Sequence, residues 1–148
     1  SLNNSLSDGN EFNMFCTAFI GILDLKTGHL DYCNAGHNAP LIIDDKGNVT
    51  EIEVIPNLPL GLFEGFKYEG QEMELDKQMM LYMFTDGVTE AENSAHELFG
   101  DERLTTLLKL KASLNPAELI NETFTHVIQH ANGAEQSDDI TIMCVRYK

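Results

Sequence analysis

LYMFTDGVTE, residues 81–90, carries an apolar segment straight into a turn. With Met79 and Met80 ahead of it, residues 81–84 read as a strand covered on both faces, because no polar alternation interrupts the run. Thr85-Asp86-Gly87 ends it. Asp86 then stands at the exposed end of a buried strand, beside a glycine that lets another group approach the backbone closely. The plainer reading is that Asp-Gly simply makes a turn. The other reading is a metal ligand, since Mg²⁺ and Mn²⁺ prefer oxygen donors fixed on rigid elements.

Upstream, residues 1–13 are polar and read as a helix end followed by a loop. FCTAFIGILD (15–24) is a near-continuous apolar strand, Lys26-Thr27-Gly28 a turn, and 29–34 a second strand with Leu30 and Tyr32 on one face. Ala35-Gly36-His37-Asn38 interrupts it, 40–43 resumes extended structure, and 44–48 is a dense turn signal before the alternating strand 49–54. Together these form an antiparallel meander. A weaker strand over 68–75 leads back to the opening run. Beyond it the period changes. Leu104, Leu107 and Leu108 mark a helix capped by Asp101. Asn115-Pro116-Ala117-Glu118 starts another with a capping box, and Ile120, Phe124, Val127, Ile128 and Ala131 form its apolar stripe. Gly133 ends that helix. Ser137-Asp138-Asp139 then precedes a last buried strand, 140–145. Antiparallel strands followed by paired helices and a closing strand define an α+β chain.

The second acidic point, Asp138-Asp139, lies at the start of that last strand. If the 79–85 and 140–145 strands are antiparallel neighbours, the carboxylates of Asp86 and Asp138 converge on one sheet edge. Converging carboxylates repel unless protonated or bridged by a cation. Alternatively, Asp138 or Asp139 caps a turn. His37 in AGHN reads either as an acid or metal ligand or, more plainly, as a loop histidine held by backbone hydrogen bonds. Glu90 and Glu92 favour the N-terminal end of a following turn or short helix.

The 148 residues suggest one domain, and the 43% hydrophobic content is enough for a sizeable core. A net charge of −15 argues against nucleic acid and anionic membrane surfaces, which need clustered Lys and Arg. Three cysteines, Cys16, Cys33 and Cys144, lie in apolar runs without a CxxC spacing and read as reduced, buried small residues of a cytoplasmic segment. Cys33 and His37 lack the two further ligands that zinc needs. There is no GxSxG motif, no poised cysteine and no Gly-rich phosphate loop, so no side chain is assigned as a catalytic nucleophile.

Three segments in order, FCTAFIGILDLKTGHLDYCNAGHNAPLII (15–43), MLYMFTDGVTEAEN…ELFGDERL (80–104) and QSDDITIMCVRY (136–147), resemble the metal-dependent protein phosphatase family. The match is to its bacterial SpoIIE/RsbU-type branch, the relatives of protein phosphatase 2C. The resemblance covers nearly the whole chain and rests on AGHN, TDGVTE and DDIT occurring together. It implies an antiparallel β-sandwich flanked by helices, and a two-metal centre of Mn²⁺ or Mg²⁺ that activates water to hydrolyse phosphoserine or phosphothreonine. Carried over, Asp86 and Asp138 are metal ligands, Asp139 a neighbouring one, and Gly87, with Gly36 and His37, structural support. The implied substrate is a phosphorylated STAS-domain regulator in a sigma-factor pathway. The family's bridging aspartate lies in a D-x-x-G-H-G-like segment that this sequence lacks: Asp24 precedes Gly28-His29 at the wrong spacing. Residues 1–148 are therefore expected to be the C-terminal part of an N-terminally truncated phosphatase domain, weak or inactive alone, within a parent free to carry a membrane anchor. Open sheet edges would favour a homodimer. A non-catalytic signalling module, a pseudophosphatase, is the alternative.

Overall fold

Uninterrupted or alternating apolar runs become strands here, and the 3.6-residue period becomes helices. The computed structural model describes residues 2–148. Its elements in chain order are α1 (Leu2–Ser7), β1 (Ala18–Leu23), β2 (His29–Ala35), β3 (Leu41–Ile43), β4 (Val49–Glu51), β5 (Gln71–Glu74), β6 (Met80–Phe84), α2 (Gly100–Leu110), α3 (Pro116–Ala131) and β7 (Ile142–Arg146). The architecture is α+β with antiparallel sheets, as the sequence suggests. The chain divides into two compact units, residues 2–39 with Glu53–Leu75, and Pro40–Ile52 with Asp76–Lys148. Among the described residues, no helix is long and apolar enough to cross a membrane.

The first unit holds the antiparallel sheet β1-β2-β5. Leu30 and Tyr32 point to its buried face, as the alternation of β2 dictates. Tyr32 stacks on Phe19 with ring centroids 5.6 Å apart and donates its hydroxyl proton to the Glu53 carbonyl at 2.7 Å. Asn3 of α1 is buried because its amide is fully used. It donates to the Phe63 carbonyl (2.8 Å) and accepts from Gly61 N–H (2.9 Å) and the Tyr68 hydroxyl (3.0 Å). Two expectations fail around β1. Cys16, just ahead of it, is exposed, and Cys33 and Cys144 are only half-buried; Ile20 (51%) and Ile22 (72%) on β1 are exposed too. β1 is an edge strand, and a continuous apolar run does not report that only one of its faces is packed.

On the solvent side of the same sheet, register pairs His29 with Glu74 and Asp31 with Glu72. His29 Nδ1 lies 2.6 Å from Glu74 Oε1, and its Nε2 lies 3.5 Å from Asp31 and 3.8 Å from Glu72. The hydrogen bond to Glu74, with the charges of Asp31, Glu74 and Glu72, holds the imidazole above its ordinary value of 6.5, while desolvation works against them. A raised histidine contributes stability that is fully present below its unfolded value and is lost as pH rises through the folded one. An NMR titration of the His29 ring should therefore give a midpoint above 6.5 that falls in Glu74→Gln. A wild-type midpoint at or below 6.5 would contradict this geometry.

The second unit holds the sheet β4-β3-β6-β7, with the helices α2 and α3. β6 is central and buried almost throughout, as its unbroken apolar run predicts. Ile43, Met80, Tyr82, Leu104, Leu108 and Leu119 form the centre of its core. The Tyr82 hydroxyl donates to Thr123 Oγ1 (3.0 Å), which itself donates to the Leu119 carbonyl (3.0 Å). Burial pushes the Tyr82 phenol far up, so it stays a neutral donor. Tyr82→Phe should cost about 1 kcal/mol, read as a lower midpoint in chemical denaturation with an unchanged slope.

α3 has the capping box read from sequence. Asn115 Oδ1 accepts from Glu118 N–H, and Glu118 accepts from Asn115 N–H. Its buried face is displaced by one residue from the expected stripe. Leu119, Thr123 and Val127 are buried, while Phe124 and Ile128 are each 48% exposed. The Tyr82 hydroxyl makes the difference, because it lets a threonine enter the core with its polar atom satisfied. The cap of α2 is Phe99, without a side-chain bond, and Asp101 sits in the first turn, where its charge suits the helix dipole.

Candidate metal centre

β6 and β7 pair antiparallel with Phe84 opposite Ile142, so the end of β6 meets the beginning of β7. The ladder runs one rung further, with Thr85 N–H donating to the Thr141 carbonyl at 3.0 Å. The chain then turns on both sides. Val88 N–H closes on the Thr85 carbonyl (3.0 Å) and Glu90 N–H on the Asp86 carbonyl (2.8 Å). Asp86 Oδ1 accepts from Gly87 N–H at 3.1 Å. Across the edge, Asp138 Oδ1 accepts from Asp139 N–H at 2.7 Å, and the Gln136 amide donates to the Asp138 carbonyl.

Gly87 is buried where the two turns meet. A Cβ there would lie 2.5 Å from the Asp139 carbonyl oxygen and 3.1 Å from that of Asp138. Only glycine permits this backbone approach.

Asp86, Asp138 and Asp139 are thus gathered at one edge and exposed to solvent. None of them takes part in an ion pair among the described residues. The donor set consists of carboxylate oxygens, and Asp86 and Asp138 each commit one oxygen to a backbone N–H. Their remaining oxygens suit a hard divalent cation, so the residues fit Mn²⁺ or Mg²⁺. The three do not bring their oxygens within 4.8 Å of one another, a wider spacing than the convergence the sequence suggests, and one that like charges without a counter-ion favour.

Among the described residues, the cluster that does reach that span is His29, Asp31 and Glu72, in the first unit. The sequence reading missed it. His29 and Asp31 are spaced i, i+2 on β2, but only the β2–β5 register brings Glu72 to them. When protonated, the imidazole offsets the charge of these carboxylates.

Gly36 and His37 also belong to the first unit. Gly36 has φ +72°, and a Cβ there would lie 2.8 Å from Pro59 Cγ. Asn34 clasps the His37 backbone from both sides, accepting from its N–H (3.0 Å) and donating to its carbonyl (2.8 Å). The main chain of this loop histidine is thus fixed by hydrogen bonds.

The family described as Stage II sporulation protein E (SpoIIE) matches residues 1–148. Protein IcfG of Synechocystis sp. is 30% identical over 139 residues, covering 94% of this chain and 22% of that protein. Phosphoserine phosphatase RsbP of Bacillus subtilis is 26% identical over 147 residues, covering 99% of this chain and 34% of its own length. The structure of the PP2C phosphatase domain of SpoIIE from Bacillus subtilis, with a fragment of its regulatory domain, superposes with a TM-score of 0.77 at 24% identity. It covers 97% of this chain and 42% of that one. The chain therefore spans between about a fifth and a third of these curated relatives.

Proposed function

This chain belongs to the SpoIIE family of PP2C-type phosphatases, and on that basis we propose that it supplies the Asp86 and Asp138 side of a protein-serine/threonine phosphatase centre. The observation that carries the proposal is the antiparallel β6–β7 register, which sets the Asp-Gly turn against the Asp-Asp turn. Asp86 and Asp138 would hold Mn²⁺ or Mg²⁺, with Asp139 beside them. When bound, such ions lower the pKa of coordinated water and neutralise phosphoryl charge. The protein's own part is positional. Gly87 sets the turns in contact, backbone N–H groups orient one oxygen of each aspartate, and the buried β6 anchors the edge. No side-chain nucleophile is needed, so the reaction proceeds without a covalent enzyme intermediate.

The proposal extends to a phosphorylated STAS-domain regulator as substrate, in the cytoplasm. It also takes residues 1–148 as the C-terminal portion of the domain, supported by the missing D-x-x-G-H-G segment. The test is phosphate release from a phosphoserine peptide and from a phosphorylated STAS-domain protein with Mn²⁺, comparing the 148-residue chain with the domain extended upstream. The extended domain should turn over both, preferring the STAS protein, and the shorter chain should stay near background. Robust turnover by the shorter chain would overturn the half-site reading. Inactivity of the extended domain would favour a non-catalytic signalling module.

A further inference from the structure

The hydroxyl of Thr85 occupies a place that the β6–β7 ladder leaves open. In an antiparallel pair, residues that exchange hydrogen bonds do so through both N–H and C=O groups. Thr85 N–H bonds the Thr141 carbonyl (3.0 Å), but the Thr85 carbonyl has turned away to accept from Val88 N–H (3.0 Å). Thr141 N–H would be left without its ladder partner. It donates instead to Thr85 Oγ1 at 2.9 Å, and the same hydroxyl donates its own proton to the Asp139 carbonyl at 2.9 Å. One side chain therefore ties the residue before Asp86 to Asp139 on one side and to Thr141 on the other.

We propose that Thr85 is a positioning residue, whose hydroxyl replaces a main-chain acceptor so that the chain can turn at Asp86 while staying locked to Asp139. It touches no reacting atom. Its part is to set the separation between the Asp86 and Asp138–Asp139 turns, and so the affinity of the edge for a divalent cation. This rests on the metal reading given above. Valine keeps the β-branched shape of threonine but removes both hydrogen bonds, leaving Thr141 N–H and the Asp139 carbonyl without this partner. Serine keeps them.

The experiment is Mn²⁺ titration of the chain, followed by the EPR signal of free Mn²⁺, in wild type, Thr85→Val, Thr85→Ser, Asp86→Asn and Tyr82→Phe. Thr85→Val should weaken Mn²⁺ binding about ten- to hundredfold, the range seen when groups that orient metal ligands are removed. Thr85→Ser should stay within about twofold of wild type. Tyr82→Phe lowers stability in the same unit without touching the edge, and it too should bind as wild type does. Amide exchange at Thr141 should accelerate in Thr85→Val and not in Thr85→Ser. If Thr85→Val fails to fold, Thr85→Ala removes the same bonds and takes its place. Asp86→Asn weakened with Thr85→Val unchanged would overturn the positioning role alone. Asp86→Asn binding as wild type would overturn the metal reading and this inference with it. Equal weakening in Tyr82→Phe would reduce Thr85 to a general stabiliser and contradict the proposal.

Discussion

Gly87→Ala is expected to destabilise the protein by about 1–3 kcal/mol and to lower its Tm by roughly 3–10 °C. The cause is steric. The added methyl would sit 2.5 Å from the Asp139 carbonyl oxygen and 2.9 Å from its carbonyl carbon. These are main-chain atoms, held by the Thr85 hydroxyl and by the β7 pairing beyond them, so no side chain can rotate away to make room. Gly87 is not among the residues with left-handed φ, so backbone strain adds nothing to the cost. Relief comes only by parting the two turns, and the loss of stability should be accompanied by loss of divalent-cation binding. Thermal unfolding with and without Mn²⁺ measures both. A wild-type Tm, or an intact Mn²⁺-dependent rise in Tm, would mean that the turns are not in contact as described.

Much of this arrangement is legible in the residues themselves. The β6 run, with no polar residue before Thr85, announces a strand packed on both faces, and the capping box at Asn115 announces where α3 begins. What escapes the sequence is anything set by a partner. Thr123 looks like a surface residue and Phe124 like a core one, until Tyr82 supplies a hydroxyl that reverses their places. The exposure of Ile20 and Ile22 depends on β1 lying at a sheet edge, which an apolar run cannot announce. His29, Asp31 and Glu72 become neighbours only through register. The candidate site falls between these cases. Each of Asp86 and Asp138-Asp139 reads alone as a turn, and their juxtaposition is conditional on two strands pairing antiparallel, which they do. Thr85 reads merely as the residue before a turn, because its hydroxyl's two bonds reach across 54 and 56 residues.

Asp86→Asn carries the largest expected effect. The amide oxygen of asparagine can still accept from Gly87 N–H, as Asp86 Oδ1 does at 3.1 Å, so the turn should survive. What is lost is the negative charge that a divalent cation requires. Without metal, Asp86→Asn should leave the Tm unchanged or slightly raised, because it relieves repulsion with Asp138 and Asp139. With metal, the variant should lose affinity. Asp138→Asn should behave the same way, since its oxygen can still accept from Asp139 N–H.

The direct measurement is Mn²⁺-dependent release of phosphate from a phosphoserine protein by the upstream-extended domain, wild type against Asp86→Asn, at equal folded concentration. The expected result is a fall in kcat/KM of roughly 10²–10³, the scale associated with removing one electrostatic contribution to a transition state. Full activity in Asp86→Asn would contradict the assignment of this edge as part of the metal centre.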